Sequence, residues 1–359
     1  MESKSLRTLL EARTAASALH QVQPDGSLRC SACAHRCALG DGETGICGVR
    51  FNRHGELRVP FGYVARRYVR PVETNTIYHV LPGAKSLTFG MYGCDLRCPY
   101  CQNWNVSQAL RERLDNEVPE DISARELVTE AIARGCRVIC GAFNEPLIAA
   151  EWIRQIFAQA KACGLVTGVI TDGNTTPETL AYMRPVTDVY RVDLKALSPE
   201  QYRILGAKAA PVFDGIREAR RLGYWIELVT LVVPGFNDDP GGLRELAREV
   251  AAIDPAIPWH LNAFFPRYKM RDRPRTPAMA LFAAAGSAMA RGMKYIYAGN
   301  LPALREMSHT RCASCRATLI ERADYSTVAN RIIDGACPDC GAAIPGIWSP
   351  LSGPSDRAG

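Results

Sequence analysis

Between residues 87 and about 300 the chain alternates short apolar runs with longer amphipathic segments, and this alternation limits the fold more than any other feature. "LTFGMYG", "RVICGAF", "VTGVIT", "DVYRVDLK", "WIELVTLVV", "WHLNAFF" and "KYIYAGN" have the length and the β-branched and aromatic content of strands. Between them stand "ARELVTEAIARG", closing on Gly135, and "LIAAEWIRQIFAQAKACG", closing on Gly164. Helical stretches also begin at Pro177, run up to Gly223, and recur in "GLRELAREVAAI" and "AMALFAAAGSAMARG". Apolar strands joined by helices suit a parallel sheet covered on both faces. About six or seven such units predict an α/β fold, a partial or nearly closed parallel (β/α) barrel. A doubly wound open sheet is the alternative, but no G-x-G-x-x-G follows the first strand, which disfavours its dinucleotide-binding form.

The 14 cysteines are grouped. Four lie at 30–47, three at 94–101 and four at 312–340, while Cys136, Cys140 and Cys163 stand alone. C-x2-C pairs in a chain without a signal-peptide pattern point to metal in a reducing compartment rather than to disulfides. The start, "MESKSLRTLLEARTAASALH", carries Leu6, Leu9, Leu10, Arg13 and Leu19 at helical spacing and predicts an amphipathic helix. No apolar run approaches the ~18 residues of a membrane span, so a cytoplasmic protein is expected. A net charge of +6 tolerates an acidic partner without calling for nucleic acid, which is not expected.

In "GCDLRCPYCQNW" three thiols, Cys94, Cys98 and Cys101, share one tight loop after the first strand, with no fourth nearby. Structural zinc takes four ligands. Three cysteines can instead hold three irons of a 4Fe–4S cluster and leave the fourth open to a substrate or cofactor. A zinc site completed by a distant His or Cys is the alternative. Asn144 and Glu145, Thr171 and Asp172, and Asp193 and Lys195 fall at the carboxyl ends of successive strands, the rim on which barrels carry their chemistry.

The loop, with Tyr100 before its last cysteine, resembles the radical S-adenosylmethionine (SAM) superfamily. Together with "CSACAHRCALGDGETGICGVR", "FNEP", "VDLKAL", "LVVPGFND", "YKM" and the terminal paired cysteines, it makes residues 28–348 similar to the AmmeMemoRadiSam-system radical SAM enzymes, relatives of the pyruvate formate-lyase activating enzyme. The resemblance implies that Cys94, Cys98 and Cys101 hold a 4Fe–4S cluster whose open iron chelates SAM. It further implies reductive cleavage of SAM to methionine and a 5′-deoxyadenosyl radical, which abstracts hydrogen from a substrate. Glu145 would meet the cofactor's ammonium, and Asp193, Lys195, Asn144, Thr171, Asp172, His260 and the backbone of Tyr100 would complete its site. A low-potential electron donor of flavodoxin or ferredoxin type is implied, as are Memo-like and AMMECR-like partners by family association.

Read from the residues alone, Glu145 suits a helix start, Asp193 and Lys195 suit a structural ion pair, Tyr100 suits packing, and His260 suits a satisfied core position. The chain departs from the family at Asp172, in "TDG" where Thr-Asn-Gly is usual. It departs again at Phe265 and Arg267, in "FFPRY" where Phe-His-Pro-Asp-Tyr is usual. These changes leave the substrate open. The basic loop "PRYKMRDRPRTP" reads either as an oxyanion grip or as solvated charge.

Cys312, Cys315, Cys337 and Cys340 predict a zinc-ribbon or rubredoxin-like module, with zinc favoured over iron. Cys30, Cys33, Cys37 and Cys47 predict a second four-cysteine site, structural zinc or else an auxiliary Fe–S cluster, with His35 as a substitute ligand. The expected division is an N-terminal helix, four-cysteine knuckle and linker (1–86), a barrel (87–305), a C-terminal metal module (306–348) and a disordered tail (349–359). The leading functional reading is a radical SAM enzyme with an unidentified substrate. Activation of a glycyl-radical enzyme and a non-catalytic, metal-stabilised protein- or RNA-binding module are its rivals.

Overall fold

The computed structural model describes residues 5–114 and 118–349, so the expected tail beyond residue 349 lies outside the described residues. One eight-stranded sheet organises them: Arg66–Pro71 (β1), Lys85–Gly90 (β2), Cys136–Gly141 (β3), Val166–Thr171 (β4), Val189–Asp193 (β5), Trp225–Val232 (β6), Trp259–Ala263 (β7) and Ile296–Gly299 (β8). The strands lie side by side in chain order. Strands β2 to β8 are parallel and β1 runs antiparallel to β2. A doubly wound sheet would reverse its order partway; this one winds in a single direction, as a barrel does. Strands β1 and β8 end the sheet without pairing to each other among the described residues, so the barrel is open on one side.

Local signals set the crossovers. Ser123 and Glu126 form a capping box that starts helix Ala124–Ala133, and Gly135 closes it at φ 71°. Ser198 and Gln201 repeat the device at Pro199–Leu205. Helix Ala150–Ala162 buries Ile153, Ile156, Phe157 and Ala160 on one face, the spacing that packs a helix on a sheet. No helix among the described residues is long and apolar enough to cross a membrane.

Two elements differ from expectation. The N-terminal helix covers only Leu6–Glu11, and Thr14–Ala16 then pairs with Glu56–Pro60. A helix of this length is marginal alone, and a strand partner that also buries Leu19 outcompetes it. Strand β1, "RRYVRP", reads as an arginine-rich stretch, yet its alternation of half-buried and exposed residues suits a sheet edge guarded by charge.

The amino end of the barrel is plugged by the segment between β1 and β2. Val72, Ile77, Val80 and Leu81 pack there against Val138, Cys140, Val166 and Val189. Over this plug sits a three-stranded antiparallel sheet of Thr310–Arg311, Thr318–Ala323 and Ser326–Asn330. Buried Arg322 fastens it, donating to Ser308 O at 2.8 Å, Thr310 Oγ1 at 2.9 Å and Tyr78 O at 2.8 Å. Its guanidinium lies 4.1 Å over the Tyr78 ring. Beyond it, Thr327 donates to Glu73, just past β1, and Tyr325 donates to Asn300, just past β8. The C-terminal hairpin thus spans the gap that the two edge strands leave.

Most buried polar groups in this seam are satisfied, Arg322 Nε and Glu73 Oε2 being without a hydrogen bond. Glu227 accepts from the backbone N–H groups of Tyr78 and His79, from the Trp225 indole and from His260 at 2.8 Å. Burial pushes its carboxyl up, but these donors outweigh it and hold the pKa at about 2. His79 donates from Nδ1 to Pro345 O at 2.7 Å, so its Nε2 accepts from Tyr297 Oη at 2.6 Å. That pattern needs a neutral ring, and burial lowers the His79 pKa from 6.5 to about 4. A histidine held neutral contributes stability that is full above the unfolded pKa and is lost as pH falls through the folded one. We expect about 3 kcal/mol of stability to disappear between pH 6.5 and pH 4 on this account. Urea titrations across that range should show a shallower loss in His79→Gln than in the natural chain; equal slopes would refute the assignment.

Candidate active site

Parallel strands deliver their carboxyl ends to one rim. There a cavity of about 480 Å³ opens, within the size range of small-molecule sites. Cys94, Cys98 and Cys101 line it from the loop after β2. Gly93 makes the entry turn at φ 92°, where a Cβ would stand 2.8 Å from Cys47 O. Arg111 ties the loop down, donating to Leu96 O and Cys94 O at 2.8 Å and to Ile46 O at 2.7 Å. The Cys101 sulfur lies 3.2 Å from Ser107 Oγ.

All three thiols are pushed up by burial. Cys98 reaches about 12, and Cys94 is raised further by the carboxyls of Asp172 and Asp95. Such thiols become thiolates only beside a strong positive charge, which an iron–sulfur core provides. No histidine and no fourth cysteine lines the cavity among the described residues. Three soft donors on one wall of a ligand-sized cavity fit a cluster with an open iron.

From β3 and β4 come Asn144, Glu145, Thr171 and Asp172, all lining the cavity. Glu145 is 3% exposed and caps the Pro146–Ala149 turn through Leu147 N–H at 2.9 Å. It also accepts from Thr171 Oγ1 at 2.9 Å and from the Asp172 N–H at 2.8 Å. Asn144 accepts from the Met91 N–H at 3.1 Å. Asp172 accepts from the Asn174 N–H at 3.0 Å, and Asp95 accepts from the Asn174 amide at 2.8 Å. Burial and mutual repulsion push Glu145 and Asp172 well up, and Asp95 to about 6. This wall is anion-rich and short of compensating charge, so a cationic ligand would relieve it.

The wall from β5 is different. Asp193 pairs with Arg191 and, at 3.2 Å, with Lys195, and all three line the cavity. Burial raises the Asp193 pKa, but the two cations outweigh it and leave it lowered. Tyr100 is buried against Phe236, ring centres 5.5 Å apart, with no partner for its hydroxyl. It too lines the cavity.

Other expected residues lie elsewhere. His260 does not line the cavity: it points to the amino end of the barrel, 1% exposed, bonded to Glu227 and stacked on Tyr297. His260 and Asn262, two residues apart on β7, face the same side of the strand; Asn262, nearer the carboxyl rim, lines the cavity, while His260 lies deeper, toward the amino end. Cys312, Cys315, Cys337 and Cys340 do converge, their sulfurs all within 4.8 Å of one another. Cys30, Cys33, Cys37 and Cys47 form no such group among the described residues. Cys30 and Cys47 belong to the main apolar cluster with Cys37 packed against it, as Cys94 and Cys98 do with Cys101, and the four sulfurs are not drawn together as tightly as zinc requires. The basic loop at 266–277 is tied to neighbours, Lys269 to Glu112 at 2.7 Å and Arg273 to Pro234 O at 2.8 Å, and none of it lines the cavity.

Arg191, Asn262, Asn300 and Tyr325 line the cavity without having been singled out. Arg191 was legible, two residues before Asp193 on the same strand face; Tyr325 comes from a distant module and had no local signal.

The Radical SAM superfamily model matches residues 89–247. An uncharacterized protein of Methanocaldococcus jannaschii is 32% identical over 325 residues, 89% of this chain and 96% of that one. The pyruvate formate-lyase-activating enzyme of Staphylococcus aureus is 26% identical over 194 residues, 50% of this chain and 76% of that protein. Among solved structures, Streptococcus suis SuiB aligns with a TM-score of 0.48 at 12% identity, covering 67% of this chain and 56% of that one.

Replacing Asp172 by Asn keeps the acceptor for the Asn174 N–H and removes one buried charge. The metal-free Asp172→Asn protein should therefore unfold at higher urea at pH 8, by about 1 kcal/mol, the usual size of a single-site effect. A lower midpoint would mean that the carboxylate is compensated after all.

Proposed function

The chain belongs to the radical SAM superfamily and is an enzyme of that kind, and from this we propose that Cys94, Cys98 and Cys101 hold a 4Fe–4S cluster beside bound SAM. The observation that supports the reading is the cavity itself, lined by three thiols from one loop, by no fourth cysteine or histidine among the described residues, and by polar groups from the neighbouring strands. When bound, the cluster would supply the electron that cleaves SAM to methionine and a 5′-deoxyadenosyl radical, which takes a hydrogen atom from the substrate.

The chain's own residues position and shield. Glu145, fixed by Thr171 and the Asp172 N–H, offers a carboxylate to the cofactor's ammonium. Lys195, held by Asp193, offers its ammonium to the carboxylate. Asn144 braces the Glu145 segment by donating to the Glu145 carbonyl at 3.2 Å. Leu96 and Tyr100 exclude water from the cysteine loop. We assign zinc to the C-terminal four-cysteine group, where Cys312 and Cys340 are 3.6 Å apart and Cys315 and Cys337 are 3.7 Å apart. Electrons would come from a low-potential flavodoxin- or ferredoxin-type donor. The Memo-like and AMMECR-like proteins are partners on the strength of the resemblance alone.

The test is anaerobic reconstitution with iron and sulfide, followed by reduction with SAM. We expect about four irons per chain and 5′-deoxyadenosine as product. The triple variant Cys94→Ala, Cys98→Ala, Cys101→Ala should lose both while keeping zinc. Product from that variant, or a lone zinc bound by the three sulfurs, would overturn the reading.

A further inference from the structure

The cavity has two chemically different ends. One, at the cysteine loop, is crowded by the carboxyls of Glu145 and Asp172. The other lies toward β1 and β8, where the sheet stops and the C-terminal hairpin takes over. The lining there includes Arg70, Thr76, Asn262, Asn300 and Tyr325; Arg191, on the central strand β5 and paired with Asp193, lines the same cavity between the two ends of the sheet.

Arg191 is poorly satisfied by the protein. It is 7% exposed; among the described residues only its Nη1 has a hydrogen-bond partner, Asp193, and its Nε is buried without one. Arg70 is exposed, makes no ion pair among the described residues and lies 5.2 Å over the Tyr68 ring. Thr76 holds φ of 55° on this wall, a left-handed conformation unusual for a β-branched residue. Asn300 and Tyr325 are also left-handed, at 65° and 63°; asparagine tolerates this, and Tyr325 shares with Asp324 the two-residue turn of the C-terminal hairpin. The Tyr325 hydroxyl donates to Asn300, which ties the C-terminal module to the barrel at this wall.

We propose that this end of the cavity is a substrate subsite for a small molecule bearing an oxyanion, a carboxylate or a phosphate, anchored on Arg191, read by Asn262 and walled by Tyr325 of the C-terminal module. The inference rests on the reading above, in which the cysteine end holds SAM. A guanidinium with free N–H groups is best matched by a planar or tetrahedral oxyanion. A neutral ligand would leave those donors unmatched. The hairpin occupies the lateral opening, so the subsite is shaped for a small molecule rather than for a strand of another protein.

The test uses the full-length, metal-loaded protein with SAM bound. Malonate and inorganic phosphate are titrated calorimetrically, with malonamide as the uncharged control. We expect one of the anions to bind at least about tenfold more tightly than malonamide, and the better of the two identifies the oxyanion. Arg191→Gln should weaken that anion by about tenfold or more, Arg191→Lys should recover part of it, and Tyr325→Ala should admit the bulkier citrate. Unfolding midpoints and SAM affinity are measured on each variant. Equal binding of malonamide, or an Arg191→Gln protein that binds the anion as before, would overturn the subsite. So would a loss of anion and SAM binding in equal measure. An absence of 5′-deoxyadenosine from the natural protein would instead strike at the SAM reading and leave the anion titration standing as a separate result.

Discussion

Parallel hydrogen bonding between strands laid down in chain order is the constraint on which the rest of the structure depends. From β2 to β8 each strand adds to the same edge, so each strand-to-helix loop arrives on the same rim. Residues spread from Cys94 to Lys195 therefore share one cavity, and short contacts between neighbouring loops, such as Asn174 to Asp95 and Thr171 to Glu145, then fix their positions. Helix capping and glycine stops time the crossovers, and the apolar strands bury both faces of the sheet. The sheet does not close on itself, and that incompleteness makes room for a ligand and for a second module to complete the wall.

Burial acts in opposite directions at the two ends of this barrel. Glu227 and Glu145 are both buried carboxyls. At the amino end Glu227 collects the His260 ring, an indole and two backbone N–H groups, and its charge is stabilised. At the carboxyl end Glu145 has donors too, but it faces Asp172, and the repulsion leaves its pKa raised. One end is electrostatically complete and serves as a seam. The other is incomplete by itself, which is the state expected of a site that waits for a cation or cluster.

The seam also links the C-terminal module to the chemistry. Arg322 inserts between Tyr78 and Thr310 while the same hairpin carries Tyr325 to the cavity. A four-sulfur group that spacing alone presents as a peripheral cap is, through its hairpin, part of the cavity wall. The four N-terminal sulfurs are not drawn together as tightly as zinc requires, and their segment packs beside the cavity loops, with Ala34 N–H bonded to Asn174 O at 3.0 Å and Thr179 bonded to Ala32 O at 3.1 Å.

Periodicity placed every strand from β2 to β8, and spacing placed three thiols on one loop, because both are written within a few residues of chain. The rim positions of Glu145, Asp172, Asp193 and Lys195 followed from the same reading, since a strand's direction is fixed once its partners are parallel. What spacing left open was decided by groups far away in the chain. His260 shares a strand face with Asn262 but stands nearer the amino end, where it bonds Glu227, and the place at the cavity falls to Asn262. Residues 14–16 became a strand because their partner lay at 56–60. Tyr325 became a cavity residue only when the hairpin bridged two unpaired edges. Local sequence sets conformational preference at the scale of a turn or a strand. Charge compensation, strain and wall closure depend on which distant surfaces are buried together, and only the folded chain settles those.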